Sequence, residues 1–391
     1  MTPSTQNDRA ALVAVLKSAG GIIRGSVIHC PFCPDLAGQG TLYTARDGVV
    51  RYKCKACGAG GDVRELEDRV RRETWGALWT PGGIATRPVV PRDPAVDLDD
   101  ILTAQIDGRF ANHPWPWPWL TELVQGLTPG SRLGVVGPAG ASKSLFVVQA
   151  LGHWVESSLR VAVLELERSR GFHLARGLAQ RAGVADLTRA AWVRQNPDLA
   201  RSLFAEHRAF LNRIGKAIHT SDKPMTSDEV SAWLEERAGE GMQIAVVDPV
   251  SARARRGDPW TEDETFLAQA EQTVRQSGMI AIFVLHPRKG GSGQPDLDNL
   301  LGGAAWARSL DSVVWLESHE PKTSRIRTSC GTDEQSHNRT VYLLKTRSGE
   351  GENVRLAYRF QTGKEQGDTG ALTLRELGPI VRRKQGARND E

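Results

Sequence analysis

The segment Gly137-Pro138-Ala139-Gly140-Ala141-Ser142-Lys143-Ser144 constrains the fold most. An apolar stretch, Leu133 to Val136, runs into it, and a helix-forming run, Leu145 to Leu151, leaves it. A glycine-rich turn from strand to helix, closed by Lys and a hydroxyl residue, cradles phosphate with its backbone N–H groups and the helix N-terminus. The stretch Gly137, Pro138, Ala139, Gly140, Ala141, Ser142, Lys143, Ser144 and Leu145 is therefore the candidate ATP-binding loop. Lys143 is expected to meet the β and γ phosphates, and the Ser144 hydroxyl to ligate Mg²⁺. One residue departs from the pattern: Ser142 stands where Gly is usual, adding a side chain where backbone approaches phosphate closely. The alternative is an ordinary glycine-rich strand-to-helix turn.

Beyond a linker-like stretch that ends near Pro94, apolar strands alternate with helical stretches. The strands are expected at Leu133–Val136, Arg160–Leu166, Gln243–Val247, Met279–Leu285, Ser312–Leu316 and Thr340–Lys345. Such alternation implies a parallel α/β sheet with helices on both faces. The organisation expected is a helix in 1–24, a cysteine module in 25–70, a Pro/Gly/Arg-rich linker in 71–96, the α/β core in 97–365 and a basic, disordered tail in 366–391. Eleven Trp outnumber nine Phe and four Tyr, and three of them lie in His113-Pro114-Trp115-Pro116-Trp117-Pro118-Trp119, whose prolines point to an extended, clamped segment. The net charge of +4 suits a polyanionic partner without requiring one. The first residues lack a signal-peptide pattern, and no run reaches the ~18 apolar residues of a membrane span, so a cytoplasmic protein with no membrane association is expected.

Four of the five cysteines form the pairs Cys30-Pro31-Phe32-Cys33 and Cys54-Lys55-Ala56-Cys57, separated by twenty residues. Two such knuckles supply four thiolates to a structural Zn²⁺ and let a module with little core fold. A redox dithiol and plain buried cysteines are the alternatives. His29 could compete as a ligand, although the paired spacing favours Cys30, and Cys330 reads as a free thiol. Between the knuckles Arg46, Arg51, Lys53 and Lys55 alternate with Tyr43 and Tyr52, a mixture that suits phosphates and bases or, equally, a solvated face. The run from Cys30 to Val63, with its Cys-Pro-Phe-Cys and its Cys-Lys-Ala-Cys-Gly-Ala-Gly-Gly-Asp, resembles the zinc-binding domain of bacterial and phage DNA primases. The resemblance implies a module that helps recognise single-stranded template.

A nucleotide hydrolase needs a base for the attacking water, a metal-orienting carboxylate, a γ-phosphate sensor and a positive charge for the transition state. The strand ending Leu164-Glu165-Leu166-Glu167-Arg168-Ser169 offers Glu167 as the base, with Glu165 as the fallback, at the C-terminal end where parallel sheets bind ligands. Gln243 to Val247 ends in Asp248, the candidate second Mg²⁺ group, or else an Asp capping a turn before Pro249. Met279 to Leu285 ends in His286, the candidate sensor, or a solvated turn residue.

The order of these parts, from about Trp119 to Phe360, resembles the RecA-like core of ring-shaped replicative helicases, the DnaB and phage primase-helicase group. It continues through Leu301-Gly302-Gly303-Ala304-Ala305-Trp306, Asp311 to Glu317, and Val341-Tyr342-Leu343-Leu344-Lys345-Thr346-Arg347. The resemblance implies that Lys345 and Arg347 act in trans on a neighbouring subunit's ATP. Apart from the resemblance, a basic strand tip is a solvated hairpin. The resemblance also implies that two loops grip single-stranded DNA, through Arg253, Arg255 and Arg256 with Trp260 in one and Arg288 and Lys289 in the other. Leu301 departs from the phage relatives, which often carry Arg there. The roughly sixty residues between Val70 and Gly134 leave no room for a primase polymerase domain.

The expected fold is therefore an α/β, RecA-like P-loop ATPase core with a small N-terminal zinc ribbon. The expected function is that of a hexameric, ATP- and Mg²⁺-dependent DNA helicase of phage or mobile-element replication, working with single-stranded DNA and with primase or other replication proteins. The rivals are a zinc-bearing RecA-like ATPase in recombination or helicase loading, and an ATP-gated DNA-binding adaptor.

Overall fold

The computed structural model describes residues 9, 11–16, 23–24, 27–30, 33, 39–45, 47–66, 102–103, 106, 112–254, 257–288, 295–347, 349, 351–362 and 370–381. The chain divides into two compact units, Met1–Arg92 and Asp93–Glu391. The expected linker at 71–96 lies outside the described residues.

The first unit is an antiparallel sheet of β1 (Ile23–Arg24), β2 (Val27–His29), β3 (Gln39–Thr44), β4 (Val50–Cys54) and β5 (Gly60–Gly61), in that order. Period-two alternation along β4 turns Val50, Tyr52 and Cys54 inward and Arg51 and Lys53 outward. Leu12 and Leu16, on helical residues 11–16, cover the inner face beside Ile28, Ala59 and Leu66. The Tyr52 ring lies over Gly40 so closely that any larger residue at 40 would collide with it. A core this small rarely supports a fold without a staple.

The second unit is built on a nine-stranded sheet in the order β14-β13-β12-β11-β6-β10-β9-β7-β8. Its parallel part comprises β6 (Arg132–Val136), β7 (Val161–Glu165), β8 (Ile218–Thr220), β9 (Ile244–Asp248), β10 (Ile280–Leu285) and the start of β11 (Ser312–Thr328). Strands covered on both faces are apolar throughout. One face sends Leu133, Val163, Val246 and Ile282 against the helices Lys143–Glu156 and Pro197–Ala217. The other sends Leu164, Val247 and Phe283 against Ser227–Gly239 and Pro259–Ser277.

Two expectations are corrected here. The strand at Thr340–Lys345 is not parallel. It belongs to β12 (Gly331–Thr346), which pairs antiparallel with β11 in a long hairpin whose tip carries Cys330. Residues 317–339 are dense in charge and include Pro321, so their sequence hides the strand pattern. In the tail expected to be disordered, β14 (Leu374–Pro379) pairs with β13 (Arg355–Phe360), and Ile380 bridges back to Ile326 on β11.

The C-terminal strand also holds the Trp-Pro segment. Trp117 donates from Nε1 to the Leu374 carbonyl at 2.8 Å and stacks on Phe146 at 4.1 Å, while Trp154 donates to the Pro114 carbonyl. Pro118 opens the helix Pro118–Val124, where its missing N–H leaves nothing unpaired. The free N–H groups of Trp119 and Leu120 donate to the Glu376 carboxylate at 2.7 and 3.0 Å, and Tyr358 donates its hydroxyl to the same group.

Midway along the long hairpin His337 is fully buried, 2.9 Å from the Ser324 hydroxyl and 4.9 Å from the His319 ring. Burial, reinforced by His319, holds His337 at about 4, below its usual 6.5. The folded chain then binds fewer protons than the unfolded one between these values. The stability His337 contributes is complete above pH 6.5 and lost as the pH falls through 4. Thermal melts across this range should show His337→Asn shrinking the acid-induced loss by up to about 3 kcal/mol. An identical pH profile for the variant would refute the assignment.

Candidate nucleotide site and the loops beside it

Parallel pairing brings the C-terminal ends of β6, β7, β9 and β10 to one edge, where a cavity of about 340 Å³ opens. Residues 137–142 form the turn that leaves β6, and Lys143 starts the helix. Gly137 has φ of +158°, and a Cβ there would collide with the Leu316 carbonyl. Gly140 and Ser142 are left-handed, at φ of +80° and +74°. For a non-glycine residue this backbone costs about 1–2 kcal/mol. Part of the cost is offset by a hydrogen bond from Arg339 Nε to Ser142 Oγ at 3.2 Å. The Arg339 guanidinium also lies 4.9 Å from the Phe360 ring, and both residues line the cavity. Neither was expected here, because only long-range pairing through β11 and β12 carries Arg339 to the loop.

Lys143 Nζ donates to the carbonyls of Gly137 (2.7 Å) and Pro138 (3.1 Å) and lies 3.3 Å from His286 Nδ1. Burial lowers Lys143 to about 8, against the pull of Asp248 and Glu167. His286 is lowered too, by burial and then by Lys143. The expected lysine and sensor therefore touch.

Glu165 and Asp248 are register partners on β7 and β9, and each is only 3% exposed. Burial, then Glu165, raises Asp248 to about 7, while His173, the Ser144 hydroxyl and Lys143 pull it down. Asp248 Oδ2 has no hydrogen-bond partner, although it is buried. An orphaned carboxylate oxygen beside the Ser144 hydroxyl and Lys143 fits the water shell of Mg²⁺. Burial raises Glu165 to about 8, and the ring of His173, itself lowered to about 4 by burial, lies 2.9 Å away. A carboxyl protonated at neutral pH cannot accept a proton, so Glu165 is the poorer base. Glu167 is exposed on the cavity wall. Sequence reading gave no role to Arg168 and Arg176, which flank the Phe172 ring at 5.3 and 4.0 Å and line the same cavity.

Lys345 and Arg347 are not at this site. Ser312 pairs with Thr346 on one side and Leu133 on the other, so the end of β12 lies beside the start of β6, at the opposite edge of the sheet from the loop. Lys345 donates to the Ala307 carbonyl at 2.7 Å, and Arg347 to the Arg308 carbonyl at 2.7 Å and to Asp311 at 3.0 Å.

The two loops expected to grip DNA meet at a second cavity, also about 340 Å³, lined by Ser251, Pro259, Trp260, Asp263, Arg288, Leu301, Gly302 and Gly303. Arg288 is exposed there. Arg255, Arg256 and Lys289 lie outside the described residues. The expectation for Arg253 is corrected. It is buried, paired with Asp263 at 2.7 Å, bonded to the Val250 carbonyl and the Ser227 hydroxyl, and set 4.0 Å from the Phe266 ring. A guanidinium satisfied in this way cannot reach a phosphate.

In the first unit all four cysteine sulfurs lie within 4.8 Å of one another, with Cys30 to Cys57 at 3.7 Å and Cys33 to Cys54 at 3.6 Å. Zn–S bonds of about 2.3 Å in a tetrahedron require S···S separations of about 3.8 Å, so the cluster has the dimensions of a Zn²⁺ site. Against the cost of burial, the backbone N–H groups of Cys57 and Ala56 draw Cys54 down to about 7, toward the thiolate. Among the described residues this is the one metal-sized cluster, and His29 is not part of it.

No protein-family model matches this sequence, and neither does any curated protein. Solved structures do match. The ATPase domain of G40P aligns with a TM-score of 0.55 at 15% identity, covering 73% of this chain and all of that domain. A DnaB-like replicative helicase, solved in a study of its interactions with primase, aligns with a TM-score of 0.54 at 16% identity over 81% of this chain and 72% of that one. The core therefore has the RecA-like fold of these ATPase domains.

Breaking the buried Arg253–Asp263 pair leaves an uncompensated charge, so Arg253→Ala should lower stability by about 3–5 kcal/mol. Arg288→Ala, at an exposed position, should stay within about 0.5 kcal/mol of the parent. Denaturant melts of both variants check this, and equal stability of the two would overturn the assignment of Arg253.

Proposed function

We propose that this chain is an ATP-dependent, ring-forming DNA translocase of the replicative-helicase type, with Zn²⁺ held by Cys30, Cys33, Cys54 and Cys57. The observation that carries the reading is the convergence of Lys143, Ser144, Glu167, Asp248 and His286 on one cavity. The fold-level similarity to DnaB-like ATPase domains supports it.

In this reading ATP lies along residues 137–145, and Phe360 with Arg339 offers a flat cationic wall to the base. Mg²⁺, held through Ser144 and the water shell of Asp248, supplies charge neutralisation at the phosphates. Lys143 leaves the Gly137 and Pro138 carbonyls for the β and γ oxygens. Glu167 orients the attacking water and accepts its proton. His286 donates to the γ-phosphate and, through the chain two residues on, moves Arg288. Lys345 and Arg347, remote from their own loop, act on the site of a neighbouring subunit in a hexameric ring. Arg288 and the chain near it track one DNA strand. In the cysteine unit Tyr43, Arg51 and Lys53 share the outer face and contact single-stranded DNA or a primase-like partner in the cytoplasm of a cell carrying a phage or mobile element.

The test is ATP turnover with and without single-stranded DNA. Turnover should be DNA-stimulated, lost in Lys143→Ala and lowered roughly 10³-fold in Arg347→Ala. Mixing the two dead variants 1:1 should restore activity, because about a quarter of interfaces then join an intact loop to an intact finger. Failure to restore activity would sink the trans arrangement, and absent turnover in the parent would demote the chain to an ATP-gated adaptor. Metal analysis should give about one zinc per chain, with chelation unfolding the small unit. A chelated protein with an unchanged first unit would remove zinc from the reading.

A further inference from the structure

Beside the nucleotide site, Trp260 is 56% exposed, although aromatic side chains are mostly drawn inside. It is not on a loose loop. Asp258 accepts from Thr261 N at 2.9 Å and caps the helix Pro259–Ser277, so Trp260 sits in the first turn of a long helix. Its ring also lies close against the backbone of Gly303, where an added Cβ would come within 3.1 Å of it. Exposure and rigidity together are wasteful for the fold and useful for a flat ligand.

The cavity that Trp260 borders has a mainly apolar lining, with Pro259, Leu301 and the Gly302–Gly303 backbone around the ring. Asp263, the one acid among the lining residues, is buried and neutralised by Arg253. Among the described lining residues the exposed charge is therefore the cation of Arg288. An aromatic face, apolar walls and one guanidinium suit a planar ring carrying a phosphate, which is the chemistry of a single unpaired nucleotide.

We infer that this cavity takes one base of single-stranded DNA, stacked on Trp260, with the adjoining phosphate on Arg288. The inference rests on the DNA-translocase reading and deepens it: the strand is held by a base as well as by its backbone. The floor of the cavity is tied to the nucleotide site. Arg288 lies two residues beyond His286, Leu301 N donates to the His286 carbonyl at 3.3 Å, and Arg288 N donates to the Asn299 carbonyl at 2.7 Å. Movement of His286 against Lys143 thus shifts the phosphate contact relative to the fixed Trp260 ring.

The test compares binding of the full chain to an oligo-dT and to an abasic strand of equal length, which keeps the phosphates and lacks the bases. The parent should prefer oligo-dT by roughly five- to a hundred-fold. Trp260→Ala should bring the two affinities within about twofold, and Trp260→Phe, which keeps a ring over Gly303, should hold an intermediate preference. Arg288→Ala should weaken both strands alike and reduce the salt slope by about one. Equal binding of both strands by the parent, or an undiminished preference in Trp260→Ala, overturns the inference and leaves the cavity to another occupant, such as an apolar protein segment. Binding of neither strand by the parent overturns the translocase reading itself, and the inference falls with it.

Discussion

The parallel pairing of β6, β10, β9 and β7 puts four strand ends at one edge, and that register places Glu165, Glu167, Asp248 and His286 around the loop. Two carboxyls, Glu165 and Asp248, become neighbours away from water, with Arg176 as the cation acting on the first and Lys143 as the lysine acting on the second. Buried charges in such a cluster change protonation state or find a counter-charge. Glu165 takes the first course with His173 beside it, which leaves Asp248 as the group able to respond to a cation. Chemically similar carboxyls are thus sorted into different roles by their surroundings.

Legibility from sequence followed the range of the interactions concerned. The loop at 137–145, the acids at strand ends and the paired cysteines are local patterns, and the structure brings each set together. Arg253 was expected on DNA because the resemblance puts it in a DNA-gripping loop, yet its partner Asp263 is ten residues ahead, one helical start away. Arg339 and Phe360 could not be found, since no local signal marks a residue that reaches the loop only through a hairpin more than thirty residues long. Ser142 was noticed as a departure, but its compensation lies at that distant Arg. The last strand was missed for a related reason: its apolar residues, Leu372, Leu374, Leu377 and Ile380, are scattered among polar ones, and Leu374 counts because Trp117 and Gln149 bond its backbone.

The two units solve the problem of stability in different ways. The larger buries apolar sheet on both faces and tolerates several strained or charged positions at its working edge. The smaller has few buried side chains, two of them cysteines, so its metal-sized cluster is part of its core as well as its surface organiser. Its outward-facing Tyr43, Arg51 and Lys53 are held by the same strand alternation that turns Tyr52 and Cys54 inward.

The hydrogen bond from Trp117 to Leu374 spans 257 positions of the chain. On a ribosome adding about 5–20 residues per second, the tryptophan emerges roughly 13 to 50 seconds before the strand that covers it is made. Trp115, Trp117 and the helix that Glu376 anchors therefore lack these partners throughout that interval. Until Leu374 and Glu376 are made, the nascent chain leaves this tryptophan surface without its covering strand, so the order of synthesis itself sets how long an aromatic face stays open.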